Sequence, residues 1–469
     1  MKNPILIQHG TIVTASDCFG ADIRIEDGRI AEVELGLSSR PNETVLDATG
    51  LLVLPGGVDP HVHLTRRPSA SPTTEDLESS SRAALAGGVT TVGEIASADE
   101  GEGVIDIINR VERCVRSMAI VDVFVHPVLG STTCKPHQID DLSVRGQPSL
   151  KIFLMNPETA ADPVALEHAV QRAATAGLIV LFHCEHLPDL LAAEKKLRSE
   201  GKTSLRYLPE SRPKESEIRA TAWAIDLCRK TGATGYIVHI SCSEVLALTT
   251  AAREEGVSIY TETRPEFLYL TSAAHRGRDA KLHVIIPPLR DAADCQALWD
   301  GIGNGSIDVV ATDDAPFWTK EEKLDAPDDF QTLHMGVSGL QLLRPMLFSE
   351  GVLKKRITLR RFVDVTATAP AKLFGLYPQK GEIAVGSDAD LVLWDPKKTR
   401  KITQKMLLSR TGFSLYEGLN VTGWPQATLR RGEIVFADGE VLGRPGTGEL
   451  IARGRRQSGT QSCDQIRPA

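Results

Sequence analysis

Residues 51–64 read LLVLPGGVDPHVHL, and this stretch decides the fold that the sequence predicts. It begins with the short apolar run Leu51–Leu54 and ends with two histidines, His61 and His63, that one residue separates. Residues two apart in an extended chain point to the same side, so both imidazoles can face one metal ion. A His-x-His pair alone is a weak signal, and its weight depends on the rest of the chain.

Short apolar runs recur along the middle of the chain, and each is followed by a longer stretch with helical periodicity. After Leu51–Leu54 the runs are Thr90–Ile95, Ile120–Val128, Ser149–Leu154, Leu178–His183, Gly235–Ile240, Val257–Thr263 and Ile307–Thr312. Continuously apolar strands that alternate with helices predict a parallel sheet covered on both faces. Eight such units favour a closed (β/α)8 barrel, an α/β fold, over an open doubly wound sheet.

The two ends of the chain have a different pattern, with short alternating runs and the hairpin signals Asp27-Gly28 and Asp438-Gly439. They predict one small β-sandwich domain built from residues 1–50 and 376–443, beside a barrel of residues 51–375. Residues 444–469 are rich in Gly, Arg, Ser and Gln and have no apolar periodicity. We expect them to form a C-terminal arm or tail that packs only on a partner subunit.

The composition is that of an ordinary globular protein of 469 residues, and a net charge of −8 argues against a general nucleic-acid binder. No window has the apolar length of a signal-peptide core or of a membrane span. The eight cysteines are scattered without a Cys-x-x-Cys pair, which is typical of reduced thiols. The sequence therefore predicts a cytoplasmic protein with no nucleic-acid or membrane partner.

Three further polar residues follow predicted strands. His183 ends one of the runs, His239 follows Tyr236-Ile-Val within another, and Asp313 comes directly after a third. Each of them alone can be a core histidine or a helix-capping aspartate, and His126 also follows apolar residues near the end of a run, so the pattern does not select uniquely. Active sites of such barrels are nevertheless built at the carboxyl ends of the strands.

Lys151 stands in the run Ser149–Leu154, which predicts a buried central strand. A buried lysine costs several kcal/mol unless it is neutralised or paired. Lys151 can pair with a buried carboxylate. Alternatively, its desolvated amine, with a lowered pKa, reacts with carbon dioxide to give a carbamate, an anion that can bridge two metal ions. The residue type alone leaves both interpretations open.

Several segments together resemble the cyclic amidohydrolases, a family that comprises dihydropyrimidinase, hydantoinase, allantoinase and dihydroorotase. The segments are Val58–Leu64, Ala84–Thr91, Ser149–Phe153, Phe182–Glu185, Pro287–Arg290, Thr312–Pro316, Phe374–Tyr377, Gly386–Leu391 and Tyr416–Pro425. The last of them is most similar to the dihydropyrimidinase and hydantoinase branch. The resemblance covers about residues 1 to 450.

The resemblance implies a complete metal site. Its ligands fall on His61, His63, Lys151 as N6-carboxylysine, His183, His239 and Asp313. It further implies two Zn²⁺ ions per subunit bridged by the carboxylated lysine, and a homotetramer. A metal-bridging hydroxide would attack a carbonyl of a cyclic amide or imide, and Asp313, as the catalytic residue, would carry the proton to the departing ring nitrogen.

The substrate-binding positions depart from the branch. The tyrosine expected to hold the oxyanion is Asn156, the serine expected before Pro287 is Ile286, and Met335 and Gly336 belong to a segment that replaces a Pro-Asn-Gly loop. We expect these four positions to contact the substrate, with Met335 contributing backbone contacts. Arg66 and Arg67 either meet a substrate carboxylate or are solvated.

Three functions remain to be compared. The first is a hydrolase of hydantoin, dihydropyrimidine or related rings, and the second is an enzyme for allantoin or another ureide or dihydroorotate-type ring. Dihydroorotases of the family have an arginine where this chain has Thr65, so their substrate is less expected. The third is a non-catalytic scaffold of the same fold, which the intact ligand set disfavours.

Overall fold

The computed structural model describes residues 4–65, 76–99, 101–130 and 136–454. Arg66 and Arg67 lie outside the described residues. Within the described ranges, no helix combines the length and the apolar character needed to cross a membrane.

Strands and helices alternate through most of the described chain. The strands are β1 (Ile5–Val13), β2 (Cys18–Glu26), β3 (Arg29–Glu34), β4 (Thr44–Asp47), β5 (Leu52–Pro55), β6 (Gly57–Val62), β7 (Val89–Ala96), β8 (Asp122–Pro127), β9 (Ser149–Phe153), β10 (Ile179–His183), β11 (Thr234–Ile237), β12 (Ile259–Thr263), β13 (Val309–Val310), β14 (Leu391–Lys401), β15 (Asn420–Arg430), β16 (Glu433–Ala437) and β17 (Glu440–Val441). The helices are α1 (Leu77–Ala86), α2 (Val104–Met118), α3 (Pro136–Val144), α4 (Pro157–Ala161), α5 (Pro163–Thr175), α6 (Leu187–Ser199), α7 (Leu208–Ser211), α8 (Lys214–Thr231), α9 (Ser243–Glu254), α10 (Pro265–Tyr269), α11 (Ala292–Asn304), α12 (Lys320–Asp325), α13 (Leu343–Leu347), α14 (Leu359–Val363) and α15 (Ala369–Leu373). The protein is therefore an α/β protein.

Strands from both ends of the chain form one nine-stranded sheet. Its order is β17-β16-β15-β14-β5-β1-β2-β3, and β4 also pairs with β1. Ile7 and Ile23 from the first strands share an apolar cluster with Leu391 and Leu429 from the last ones. The hairpins predicted at Asp27-Gly28 and Asp438-Gly439 are confirmed, since each dipeptide links paired strands with positive φ at both residues.

The eight successive strands β6 to β13 are parallel within two sheets. One sheet has the order β6-β7-β8 and the other β13-β12-β11-β10-β9. Two isolated parallel bridges join the sheets, Val128 to Lys151 on one side and Val62 to Asp314 on the other. The side chains of the parallel strands, for example those of β7, β8 and β10, are almost all buried, as the continuously apolar runs predict.

Helix α8 shows how the sequence sets the helix boundaries. It begins after Pro213 and ends at Gly232, whose φ of 70° is the left-handed conformation that glycine adopts without strain. Ala220, Ala224 and Cys228 form its buried face and belong to the large core that it shares with the parallel strands.

The prediction for the first strand of the parallel set is wrong. The run Leu51–Leu54 forms most of β5, which pairs with β1 and β14 in the sheet of the chain ends. The first parallel strand is β6, which contains Pro60 and begins at a glycine, so its pattern is not that of a strand. Gly56 is required for close packing here, since a Cβ would lie 2.3 Å from Thr90 Oγ1.

The described part of the C-terminal segment packs on its own chain. The amide of Gly448 donates to the carbonyl of Ala119 at 2.9 Å, and that of Ile451 donates to Val123 at 2.7 Å, alongside β8. Arg453 is buried and donates to Ser149 Oγ at 2.7 Å. For residues 448–453 the expectation of packing only on a partner is therefore wrong, because their backbone pairs with β8. Residues 455–469 lie outside the described residues.

Candidate metal centre

The predicted ligands lie at or near the carboxyl ends of the parallel strands. His61 is in β6, Lys151 is in β9 and His183 ends β10, while His239 and Asp313 follow β11 and β13 by two and three residues. Parallel strands present their carboxyl ends at one edge of a sheet, where α/β proteins bind ligands. The strand ends thus place these side chains at a common edge.

The nitrogen and oxygen donors converge. One donor atom each of His61, His239 and Asp313 lie within 4.8 Å of one another. Asp313 Oδ1 is 3.1 Å from Nε2 of His61 and 3.2 Å from Nε2 of His63. The ring centroids of His183 and His239 are 4.6 Å apart. This set of imidazole and carboxylate donors suits a divalent transition metal such as zinc.

The backbone is strained at two of these positions. His239 has φ 39° and Asp313 has φ 49°, a region that non-glycine residues enter at a cost of about 1–3 kcal/mol. At His239 the strained turn is held by its amide, which donates to Glu262 Oε1 at 3.0 Å. The fold therefore maintains, at an energetic cost, the two turns that bring these side chains into the cluster.

Glu262 in β12 fixes the orientation of His61. Its Oε1 is 2.6 Å from Nδ1 of His61, and its Oε2 accepts a hydrogen bond from the Tyr236 hydroxyl at 2.8 Å. The pair at Nδ1 leaves Nε2 of His61 directed toward Asp313. A carboxylate that orients an imidazole in this way is typical of histidines that bind metals.

A second carboxylate plays the same part at His183. Nε2 of His183 is 2.6 Å from Glu185 Oε2, and Arg212 Nη1 donates to the same oxygen at 2.7 Å. Burial opposes ionisation of Glu185, but Arg212 and His183 together lower its pKa to about 2. Glu185 therefore remains a carboxylate, and Nδ1 of His183 is the nitrogen left for a metal.

Lys151 is fully buried, and its Nζ has no hydrogen-bond partner among the described residues. Desolvation lowers the pKa of this amine to about 8. Its Nζ lies 5.1 Å from the centroid of the Phe153 ring, which is itself 5.3 Å from that of His183, so the amine stands close to the ligand cluster. The alternative in which Lys151 pairs with a buried carboxylate is wrong for the described residues.

Asp313 uses its two oxygens differently. While Oδ1 faces the histidines, Oδ2 accepts a hydrogen bond from Arg264 Nη1 at 2.5 Å. Burial would raise the pKa of Asp313, but the charges of His61 and Arg264 hold it well below its usual value. The group is therefore an ionised carboxylate.

A cavity of about 520 Å³ opens beside the cluster. Its wall is formed by His61, His63, Ile95, Ser97, Phe153, His183, His239, Arg264, Ile285, Ile286, Asp313, Ala315, Phe317, Trp318, Leu333, Met335 and Gly336. Three of the four predicted substrate positions, Ile286, Met335 and Gly336, are among them. Asn156 is not, since it lies at the start of α4, where its amide donates to the carbonyl of Phe153 at 3.1 Å.

Sequence reasoning missed the residues that hold the ligands. Glu262 was detectable as a carboxylate inside the apolar run Val257–Thr263, and Arg264 as a cation directly after it. His126, which the pattern did not separate from the ligands, is 2.7 Å from Ser149 Oγ through Nδ1 and does not line the cavity.

Comparison with known proteins places the chain among enzymes of this architecture. Residues 52–435 match the model of the amidohydrolase family. A D-hydantoinase from Geobacillus stearothermophilus is 35% identical over 458 residues, which cover 96% of both chains.

Solved structures give the same result. A dihydropyrimidinase from Brevibacillus agri matches with a TM-score of 0.91 and 33% identity, covering 96% of this chain and 99% of that one. An L-hydantoinase (dihydropyrimidinase) from Arthrobacter aurescens matches with a TM-score of 0.89 and 28% identity, covering 96% of this chain and all of that one. The chain therefore belongs to the amidohydrolase family, in the group of the hydantoinases and dihydropyrimidinases.

Proposed function

We propose that this protein is a metal-dependent hydrolase that opens the ring of a cyclic amide or imide. The observation that carries the proposal is the buried amine of Lys151, which has no hydrogen-bond partner in the described part of the chain and lies beside a cluster of histidines and Asp313. Relatives that are named D-hydantoinase and dihydropyrimidinase, and that match over nearly the whole chain, support the same reaction class.

We infer that the strands β6 to β13 close into a (β/α)8 barrel. The two bridges that join the parallel sheets, at Val128–Lys151 and at Val62–Asp314, support this closure. The nine-stranded sheet would then be the small β-sandwich domain, with residues 1–50 and 376–443 as its predicted extent and residues 51–375 as the barrel. β5 extends the sheet of the chain ends to Pro55.

The donor set fits two Zn²⁺ ions. His61, His63, His183, His239 and Asp313 would supply neutral nitrogens and a carboxylate oxygen, and Lys151 would bridge the ions as a carbamate. Conversion of Lys151 to a carbamate would replace a buried ammonium group by an anion. The positive charge of the metal ions would then stabilise this anion. When bound, the metal ions supply a nucleophile at neutral pH and polarise the amide carbonyl.

Asp313 would carry the proton. Its Oδ1 faces the cluster, so it accepts a proton from the attacking water as the new bond to the carbonyl carbon forms. When the carbon–nitrogen bond breaks, the same carboxyl group donates this proton to the ring nitrogen. The first product is a carboxylic acid that carries an amide or ureido group, and it ionises by releasing the second proton of the attacking water to solvent, while Asp313 returns to its ionised form.

The wall of the cavity would hold the substrate through few polar side chains. Ile286 and Met335 offer apolar surface and backbone groups, and Gly336 lies where its φ of 101° favours glycine. Its amide donates to Val284 at 3.1 Å, and a Cβ there would lie 2.3 Å from the carbonyl oxygen of Ala315. Asn156 stays a prediction that rests on the resemblance alone.

Two alternative functions, a dihydroorotase-type enzyme and a non-catalytic scaffold, have less support. Thr65 donates to Glu94 through both its amide and its hydroxyl, so it does not replace the arginine of a dihydroorotase. The clustered ligands argue against a scaffold without a metal. A homotetramer remains an expectation from the resemblance, and the mass of the assembled protein in solution tests it.

The test is a ring-opening assay on purified protein whose zinc content has been measured. The panel is hydantoin, 5-substituted hydantoins, dihydrouracil, allantoin, dihydroorotate and succinimide. We expect about two metal ions per subunit and turnover of a hydantoin or dihydropyrimidine ring. Protein that holds zinc but opens only allantoin supports the ureide alternative, while protein that binds no metal and opens no ring is a scaffold.

A further inference from the structure

Arg264 is the one cationic side chain, histidines aside, among the residues that line the described cavity. It comes directly after β12 and is only 1% exposed. Its Nη1 donates to Asp313 Oδ2 at 2.5 Å, and its Nε donates to Glu266 Oε2 at 2.6 Å. The guanidinium therefore lies between the candidate proton carrier and a second buried carboxylate.

The two contacts make Arg264 a fixed anchor. The donors of a guanidinium are held in one plane, so the group cannot turn away from Asp313 without also losing its hydrogen bond to Glu266. Glu266 is itself 1% exposed in α10. The remaining nitrogen of Arg264, Nη2, is buried and has no hydrogen-bond partner among the described residues. Burial of a guanidinium with one donor unused destabilises the folded protein. The presence of Arg264 is therefore better explained by a role in the metal centre than by a contribution to stability.

Asp313 needs such an anchor. The torsion that turns an aspartate carboxylate is broad, so the partners of the two oxygens decide the plane of the group. The nearest approach of His61 and of His63 to this carboxylate is to Oδ1, at 3.1 and 3.2 Å. Without a partner on Oδ2, the carboxylate could rotate away from the position in which Oδ1 meets the ligand cluster.

We propose that Arg264 is a positioning residue that holds Oδ2 of Asp313, so that Oδ1 stays directed at the metal centre and at the departing ring nitrogen. This inference rests on the proposed function, because it assigns Arg264 to the same site. Its consequence is that loss of Arg264 loosens the metal centre and slows the proton transfer, while the binding of substrate is little changed.

A matched control exists elsewhere in the chain. Arg24 in β2 is 2% exposed and also lies between two carboxylates, with Nε 2.7 Å from Glu43 and Nη1 2.8 Å from Glu32. It belongs to the sheet of the chain ends and does not line the cavity. A variant at Arg24 therefore measures what the loss of a buried, doubly paired arginine does to folding alone.

The experiment compares Arg264→Lys and Arg264→Gln with Arg24→Lys and Arg24→Gln in the full chain loaded with zinc chloride. A lysine keeps the charge but cannot reach both carboxylates. For each variant we would measure the rate at which a chelator removes zinc, the midpoint of thermal unfolding, and kcat and KM for ring opening. Zinc release needs no substrate.

We expect both Arg264 variants to lose zinc about 10- to 100-fold faster than the unaltered chain, with kcat reduced far more than KM is changed. The Arg24 variants should match the unaltered chain in zinc release even if their unfolding midpoint falls. If Arg264→Gln does not fold, Arg264→Lys gives the answer.

The assignment is overturned if Arg264→Lys releases zinc as slowly as the unaltered chain. It is also overturned if Arg24→Lys releases zinc as fast as Arg264→Lys does. Inactivity of the unaltered, zinc-loaded chain on every ring overturns the proposed function instead, and zinc release still decides the role of Arg264. An unaltered chain that takes up no zinc overturns both.

Discussion

Replacing Glu262 by glutamine should loosen His61 while leaving the shape of the site intact. Glu262 Oε1 is 2.6 Å from Nδ1 of His61 in a fully buried position. Glutamine has the same size and keeps a carbonyl oxygen for the imidazole, but it removes the negative charge that favours the tautomer with a proton on Nδ1. The substitution therefore tests orientation by charge rather than packing.

The magnitude follows from the type of hydrogen bond that is lost. A hydrogen bond to a charged group contributes about 1.5–3 kcal/mol and a neutral one about 0.5–1.5 kcal/mol. The exchange thus costs roughly 1–2 kcal/mol, which corresponds to about 5- to 30-fold weaker zinc binding. The Glu262→Gln variant should lose kcat by a similar factor.

The assay is competition for zinc with a colorimetric chelator, and Glu217→Gln is the control. Glu217 is also buried and accepts a hydrogen bond from the amide of Ser241 at 2.9 Å, as Glu262 does from His239 at 3.0 Å. Its side-chain partners in the described ranges are Ser241 and Arg290, with no histidine among them. Zinc affinity that is unchanged in Glu262→Gln, or reduced as much in Glu217→Gln, would refute the role of Glu262.

Two further predictions concern folding around the site and in the rest of the chain. Gly336→Ala should lower the free energy of unfolding by about 1–3 kcal/mol and slow ring opening, because the added Cβ would lie 2.3 Å from the carbonyl oxygen of Ala315. The unfolding free energy is measured by urea titration, and Gly277→Ala, whose Cβ would meet no atom closer than 4.0 Å, is the control. Asp122 should make folding sensitive to acid, because Lys380 lowers the pKa of its carboxyl below the usual 3.8 despite the opposing effect of burial. Its stabilisation is fully present above that value and is lost as the pH falls through the lower pKa of the folded state. Urea titrations between about pH 5 and pH 2 should give a shallower acid loss in Asp122→Asn, and an unchanged slope would contradict this.

Apolar runs predicted most of the parallel strands, because a strand that is buried on both faces leaves a continuous signal in the sequence. The same rule failed at residues 57–62, where Gly57 and Pro60 interrupt the pattern although the strand is fully buried. Gly56 and Gly57 allow β6 to approach β7 closely, and such a contact between strands is a tertiary property that no local pattern contains.

The ligand positions were predictable for a related reason. His183 ends an apolar run, Asp313 follows one directly, and Lys151 is conspicuous because it interrupts one. Glu262 and Arg264 were missed, since their importance comes from contacts with residues 201 and 49 positions away in sequence. Contacts of that length depend on how the strands are arranged side by side.

Lys151→Ala is the sharpest test of a metal centre that depends on a carbamate at Lys151. We expect that the unaltered chain opens a hydantoin or dihydropyrimidine ring, that the variant is slower by on the order of 100-fold or more, and that acetate or propionate restores part of the activity by taking the place of the carbamate. Activity of Lys151→Ala equal to that of the unaltered chain, without any added acid, would show that the reaction does not need this lysine.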